Sequence, residues 1–141
     1  MPKFQWKERY AVHVAAVDDE HQMLFQLCAS LESALTAGVS AGRVRSLTED
    51  LIRHAAEHFS HEEREMRAAG YAHYAWHRRR HKTALRKVSE LRARIRRGDR
   101  EAADELLRFL QGWLNDHIGI ADRMLGAFLR NQQRAREAQA S

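Results

Sequence analysis

Three glycines, at 38, 70 and 98, each follow a long run in which apolar residues recur every third or fourth position. That period marks helices with one buried face, and a glycine after the last periodic residue marks a stop. Leu24, Leu27, Leu31 and Leu35 predict a first helix over 18–37, with Asp18 as its cap. Val44, Leu47, Leu51, Ala55, His58, Glu62 and Met66 predict a second over 40–69, capped by Ser40. His77, His81, Leu85, Leu91 and Ile95 predict a third over 73–97. A fourth begins after Asp99 and carries Ala103, Leu106, Leu107, Leu110, Leu114 and His117. A short last helix is expected over 123–130, then a polar, frayed tail over 131–141. Residues 1–16 show no period and read as an arm that packs Trp6 and Tyr10 onto the rest. The expected fold is all-α: an up-down-up-down four-helix bundle with an N-terminal arm and a short C-terminal helix. Residues 1–141 form a single domain, since 141 residues leave no room for two.

Composition narrows the chemistry. One proline and seven glycines are too few turn-formers for an all-β sandwich. One cysteine excludes an intrachain disulfide and a thiolate metal site. No apolar run is long enough to cross a membrane, and residues 1–12 contain no secretory core, so a cytoplasmic protein without a membrane partner is expected. The net charge of +5 raises the question of nucleic acid. Between positions 78 and 97 stand ten Lys or Arg against the single acid Glu90. No aromatics interleave them and no DNA-binding motif is present. The stretch therefore reads as a solvated outer face, nucleic acid is not an expected partner, and an acidic protein is the partner such a face would hold.

The informative residues are the nine histidines. Residues four apart share a helix face. His58 and Glu62 are so spaced, as are His77 and His81; His117 is followed five residues on by Asp122; His21 begins the stripe of the first helix. A lone inward histidine is usually a satisfied core residue. Five imidazoles and two carboxylates on inner faces of one bundle are different, because buried charges without partners cost several kcal/mol each. A cation removes that cost. Imidazole and carboxylate suit Fe, Zn, Cu, Ni or Mn. Seven donors exceed what one ion takes, so two ions sharing the carboxylates fit better. Spacing leaves His54 with His58 and His73 with His77 as equally good pairs.

The set resembles the hemerythrin family in its single-domain, bacteriohemerythrin form. The matching residues are Trp6 and Tyr10; Asp19-Glu20-His21-Gln22 with Leu24-Phe25; His58-Phe59-Ser60-His61-Glu62-Glu63 with Met66; Gly70-Tyr71; His77 and His81; and Trp113-Leu114 with His117-Ile118 and Asp122. The resemblance spans about residues 4–130. It implies two iron ions, one on His77, His81 and His117 and one on His21 and His58, bridged by Glu62, Asp122 and an oxo or hydroxo group. It implies that His54, His61 and His73 are spare. It implies reversible binding of dioxygen at an open position of the two-histidine iron, for storage, delivery or sensing, rather than enzymatic turnover. A di-iron enzyme reducing peroxide or nitric oxide would share every ligand. Leu24, Phe59, Trp113 and Leu114 are the expected walls of an apolar oxygen pocket. Cys28, seven residues after His21, is expected to be a buried apolar residue. Tyr71-Ala72 departs from the family's frequent Tyr-Pro, which loosens the start of the third helix without touching a ligand.

Overall fold

The computed structural model describes residues 4–140. Helices α1 (Ala15–Ala37), α2 (Ala41–Ala69), α3 (Tyr74–Arg96) and α4 (Arg100–His117) run up and down in sequence. Each packs on the next, and α1 closes the bundle against α4. The glycine stops hold. Gly38 and Gly70 sit at φ 69° and 66°, a left-handed turn that favours glycine. Val39 and Tyr71 then donate backward to the carbonyls of Ala34 and Met66, at 3.2 and 3.0 Å. Ser40 Oγ accepts from Arg43 N at 3.2 Å and Asp99 Oδ1 from Glu101 N at 3.1 Å, so both expected caps are present.

Asp18 does something else. Helix α1 starts three residues earlier than expected, at Ala15, so the arm ends at residue 14 rather than 16. The Asp18 carboxylate instead accepts from Val12 N and His13 N, at 2.9 and 3.0 Å. It satisfies backbone donors where the chain turns through His13, at φ 62°. Before that turn the arm folds a 3-10 turn at Glu8–Tyr10. Trp6 and Tyr10 pack as expected: both rings lie against Phe25, with centroids 5.8 and 5.1 Å away.

The C-terminal end differs more. A five-residue π-helical turn, Ile118–Asp122, follows α4 and leads directly into α5, Arg123–Ala140. Helix α5 is neither short nor frayed over the described residues. Its second half is rich in Ala, Gln, Arg and Glu, strong helix formers even on a solvated face. Gln133–Glu137 and Arg136–Gln132 bond one turn apart, at 3.2 and 3.3 Å. Gln132 Nε2 also donates to the open carbonyl of Ala69, at 3.1 Å, tying α5 to the end of α2. The first half of α5 holds the arm. Arg123 donates to Arg9 O at 2.6 Å, Arg130 donates to Val12 O, and Gly126 is buried where a Cβ would lie 2.8 Å from Val12 O.

Two apolar clusters result. The larger holds Leu24, Cys28, Leu31, Leu51, Leu91, Leu106 and Leu114 along the bundle axis; the smaller holds Met66, Tyr71 and Leu125 at the α5 end. Among the described residues no helix is long and apolar enough to cross a membrane. On α3 much of the basic stretch is paired: Arg92 and Arg96 with Glu49, Arg94 with Asp99 and Glu105, Arg78 with Glu63.

Candidate metal centre

Between the two apolar clusters α1, α2, α3, α4 and the π turn each contribute polar side chains to one buried point. His21 comes from α1, His58 and Glu62 from α2, His77 and His81 from α3, His117 from the end of α4 and Asp122 from the π turn; none is more than 2% exposed. All seven residues named from the sequence are therefore brought together. The sequence period explains six of them: His58 with Glu62 and His77 with His81 stack one turn apart on inner faces, and His21 and His117 stand on the inner stripes of α1 and α4. Asp122 needs more. In an α-helix a residue five positions on lies about 140° around the axis. The wider π turn brings the fifth residue back beneath the first. Asp122 Oδ1 thereby stands 3.1 Å from His117 Nε2.

Each carboxylate divides its two oxygens between two groups of histidines. Glu62 Oε2 faces His58 Nε2 at 2.9 Å and His21 Nε2 at 3.6 Å. Glu62 Oε1 faces His77 and His81 Nε2, at 3.0 and 3.1 Å. Asp122 Oδ2 faces His21 at 2.9 Å, and Oδ1 faces His77 at 3.0 Å as well as His117. The donor atoms fall into two overlapping sets, each within 4.8 Å: His21, His58, Glu62, Asp122, and Glu62, His77, His81, His117, Asp122. The two carboxylates belong to both.

Hydrogen bonds do not satisfy this core. Nε2 of His21, His58 and His81, Oε2 of Glu62 and both oxygens of Asp122 are buried without a hydrogen-bond partner. Two ring nitrogens, His77 and His117 Nε2, approach to 3.1 Å. Buried polar atoms are normally paired, and each one left unpaired costs about 1–3 kcal/mol. Lone pairs converging from five imidazoles and two carboxylates are what cations would satisfy. In the metal-free protein protons do part of this work. Burial pushes His58 and His77 down, but nearby carboxylates outweigh it and hold them up, to about 10 and about 9: Glu62, Glu20 and Asp122 act on His58, and Asp122 and Glu62 on His77. Burial likewise raises Glu62, but the surrounding histidines outweigh it and keep the carboxyl well below its usual range. For His117 burial prevails, and its pKa is lowered.

A second layer acts on the outer ring nitrogens. Glu20 Oε1 accepts from His58 Nδ1 at 3.2 Å, and Glu63 Oε2 accepts from His81 Nδ1 at 3.0 Å. A carboxylate on Nδ1 fixes the proton there and leaves Nε2 free as a ligand. His117 has the opposite neighbour, because Arg80 Nε donates to its Nδ1 at 3.2 Å. Glu20 and Glu63 stand in the matching stretches without an assigned role, and Arg80 stands outside them. The available signal was adjacency: Glu20 and Glu63 each stand one position from a cluster residue.

The spare histidines lie outside the cluster. His54 is half-buried, and His73 is exposed beside Tyr71, with ring centroids 5.6 Å apart. His61 is 48% exposed and donates to the same Glu20, at 2.6 Å. Of the four expected pocket residues, Phe59 stacks on the ring of His81 and Trp113 on that of His117, both at 11° between planes. These two cover the three-histidine side. Leu24 and Leu114 are buried in the larger apolar cluster. Cys28 is fully buried, and burial pushes its thiol far above the usual range.

Known proteins resemble the chain over most of its length. A bacteriohemerythrin of Methylococcus capsulatus is 28% identical over 120 residues, which are 85% of this chain and 91% of that protein. One of Ralstonia nicotianae is 30% identical over 129 residues, 92% and 90% of the two chains. The crystal structure of a wild-type hemerythrin superposes with a TM-score of 0.81 at 28% identity, covering 89% of this chain and 96% of that one. A leucine-to-tyrosine mutant of hemerythrin gives 0.85 at 26% identity, covering 92% and 98%. The profile of the hemerythrin HHE cation binding domain matches residues 12–129, and the chain belongs to the hemerythrin family.

Proposed function

We propose that this protein holds two iron ions and binds dioxygen reversibly, for storage, delivery or sensing. The observation that carries this reading is the division of Glu62 and Asp122, each with one oxygen toward the two-histidine set and one toward the three-histidine set. Two carboxylates so placed would be shared by a pair of ions, one held by each set of histidines. His77, His81 and His117 would complete one ion; His21 and His58 would leave the other short of a ligand, which is where a small molecule binds. Bound there, a pair of ferrous ions supplies the two electrons that reversible dioxygen binding requires.

The chain's own residues do the rest. Glu20 and Glu63 orient His58 and His81 through Nδ1. Phe59 and Trp113 cover the rings of His81 and His117 and keep water from the three-histidine side. Leu24 and Leu114 are the proposed apolar walls on the bundle side, where exclusion of water separates a carrier from an oxidase. The lone Cys28, reduced and buried, suits the cytoplasm we assign to the protein. Iron analysis with visible spectra in air and after deoxygenation tests the reading. The expected result is close to two irons per chain and a band that disappears under argon and returns in air. Rapid bleaching with turnover of peroxide or nitric oxide would make the protein an enzyme. A single ion per chain would end the di-iron assignment.

A further inference from the structure

The surroundings of the metal centre are not alike on its two sides. On the α3–α4 side a shallow cleft is lined by Trp76, Arg79, Arg80, Thr83 and Trp113. The two guanidinium groups repel cations, and the Trp113–His117 and Phe59–His81 stacks close the way inward. On the other side, between α1, α2 and α5, lies a cleft of about 460 Å³. Its walls include the apolar Val17 and Leu125, and its lining reaches the bridging candidate Glu62. That carboxylate is 1% exposed, and its Oε2 has no hydrogen-bond partner. The same cleft is lined by Asp19, Glu20, His61 and Glu65, against the one cation Arg64. Asp19, His61 and Glu65 are exposed, whereas Glu20 is intermediate and touches both levels: 2.6 Å to His61 outside and 3.2 Å to His58 within.

We propose that this cleft is the route by which divalent cations load the centre, with Asp19, His61 and Glu65 as capture residues at its mouth. The proposal rests on the reading that the buried cluster holds cations. Imidazole and carboxylate are the donor types that the centre itself uses, so an ion held at the mouth finds the same chemistry one step deeper. A cleft in which one sign of charge predominates concentrates the opposite ion and speeds its arrival, by about tenfold or more. The step inward leads to Glu62 Oε2 and to the set of His21 and His58, the one with the fewer histidines. His61 then has a role although it is no ligand of the final centre: it sets the rate of loading and leaves the final occupancy unchanged.

Cobalt(II), added to the metal-free full chain, is the probe; its uptake is followed by stopped-flow absorbance. The double variant His61→Ala/Glu65→Gln is expected to load at least about tenfold more slowly than wild type, yet reach the same cobalt per chain. Wild-type loading should slow as salt is raised, and the variant should respond less. Arg79→Glu, on the opposite face, should leave the rate unchanged. A second variant blocks the route physically: Glu65→Cys labelled with a bulky maleimide, with Cys28 buried and out of reach, should also load slowly. Equal rates in wild type and both blocked forms, or faster loading in Arg79→Glu, would overturn the route while leaving the centre intact. No cobalt uptake by wild type at all would overturn the metal centre and the route with it.

Discussion

Arg80 Nε donates a hydrogen bond to His117 Nδ1 at 3.2 Å, which places a cation on the outer nitrogen of a ring whose inner nitrogen faces the metal centre. A neutral imidazole that gives Nε2 to a metal keeps its proton on Nδ1. Arg80 therefore favours the tautomer that does not bind, whereas Glu63 favours the one that does on His81. Glu63→Ala should weaken metal retention by roughly 10–100-fold. Arg80→Gln, whose carbonyl accepts from Nδ1–H, should retain metal at least as well as wild type. Competition against a chelator measures both. Equal weakening in the two variants would mean that the sign of the outer neighbour is immaterial.

Glu62 is the residue whose loss should matter most. It is within 3.6 Å of four histidine Nε2 atoms and is fully buried. Glu62→Ala should lower the metal content and destabilise the loaded protein by about 3–5 kcal/mol, because positive charge is left uncompensated in the core. His54→Ala and His73→Ala should keep full occupancy. Two tightly held ions and an unchanged melting temperature in Glu62→Ala would remove it from the ligand set.

The metal-free protein should weaken as pH rises. His58 and His77 are raised to about 10 and about 9 in the folded chain, while an unfolded histidine titrates near 6.5. The folded state thus holds protons that the unfolded state has released. Their contribution is complete below about pH 6.5 and disappears as pH climbs through 9 and 10. The loaded protein, whose histidines are already deprotonated, should not show this decline. Melting temperatures from pH 6 to 10, with and without metal, test the contrast; a flat metal-free profile would refute it.

Leu114→Ala tests the apolar wall. Leu114 is buried in the larger cluster. Its truncation should cost about 2–5 kcal/mol and leave metal content intact. Water and small anions should then reach the centre sooner, so the oxygenated visible band should decay faster than in wild type. Equal decay with full metal would place the wall elsewhere.

Gly126→Ala tests the anchoring of the arm. A Cβ there would stand 2.8 Å from Val12 O and 3.0 Å from Val12 Cβ. The arm must shift, at a cost of roughly 1–3 kcal/mol. Fluorescence of Trp6, isolated by replacing Trp76 and Trp113 with phenylalanine, should change with it. An unaltered melting temperature and emission would show that the arm is not held against α5.

The helices and the cluster were legible because both depend on the same period. Leucines and ligands share inner faces, so the stripe that predicts α2 also predicts where His58 and Glu62 point. What was not legible depends on partners distant in sequence. Asp18 reads as a helix cap, yet the backbone donors it meets belong to a turn at His13. Glu20 stands in sequence only as the neighbour of His21, and the packing of α1 on α2 is what brings it between His58 and His61. The tail reads as frayed because it has no apolar stripe, but propensity and its bond to Ala69 keep it helical.

Between His117 and Asp122 the helix contains one residue more than ordinary winding needs to join the same two faces. Gly119 is exposed there, and no other group lies within 4 Å of the place its Cβ would occupy. If one such residue were deleted, the aspartate would follow the histidine by four positions, about 40° around a regular helix, and α5 would keep its face toward α2. A deletion between His58 and Glu62, or between His77 and His81, has no such slack and swings one donor out of the bundle. Within the ligand-bearing helices the π turn is thus a place where one residue can be lost while His117 and Asp122 both stay toward the inner face, and it lies beside a ligand.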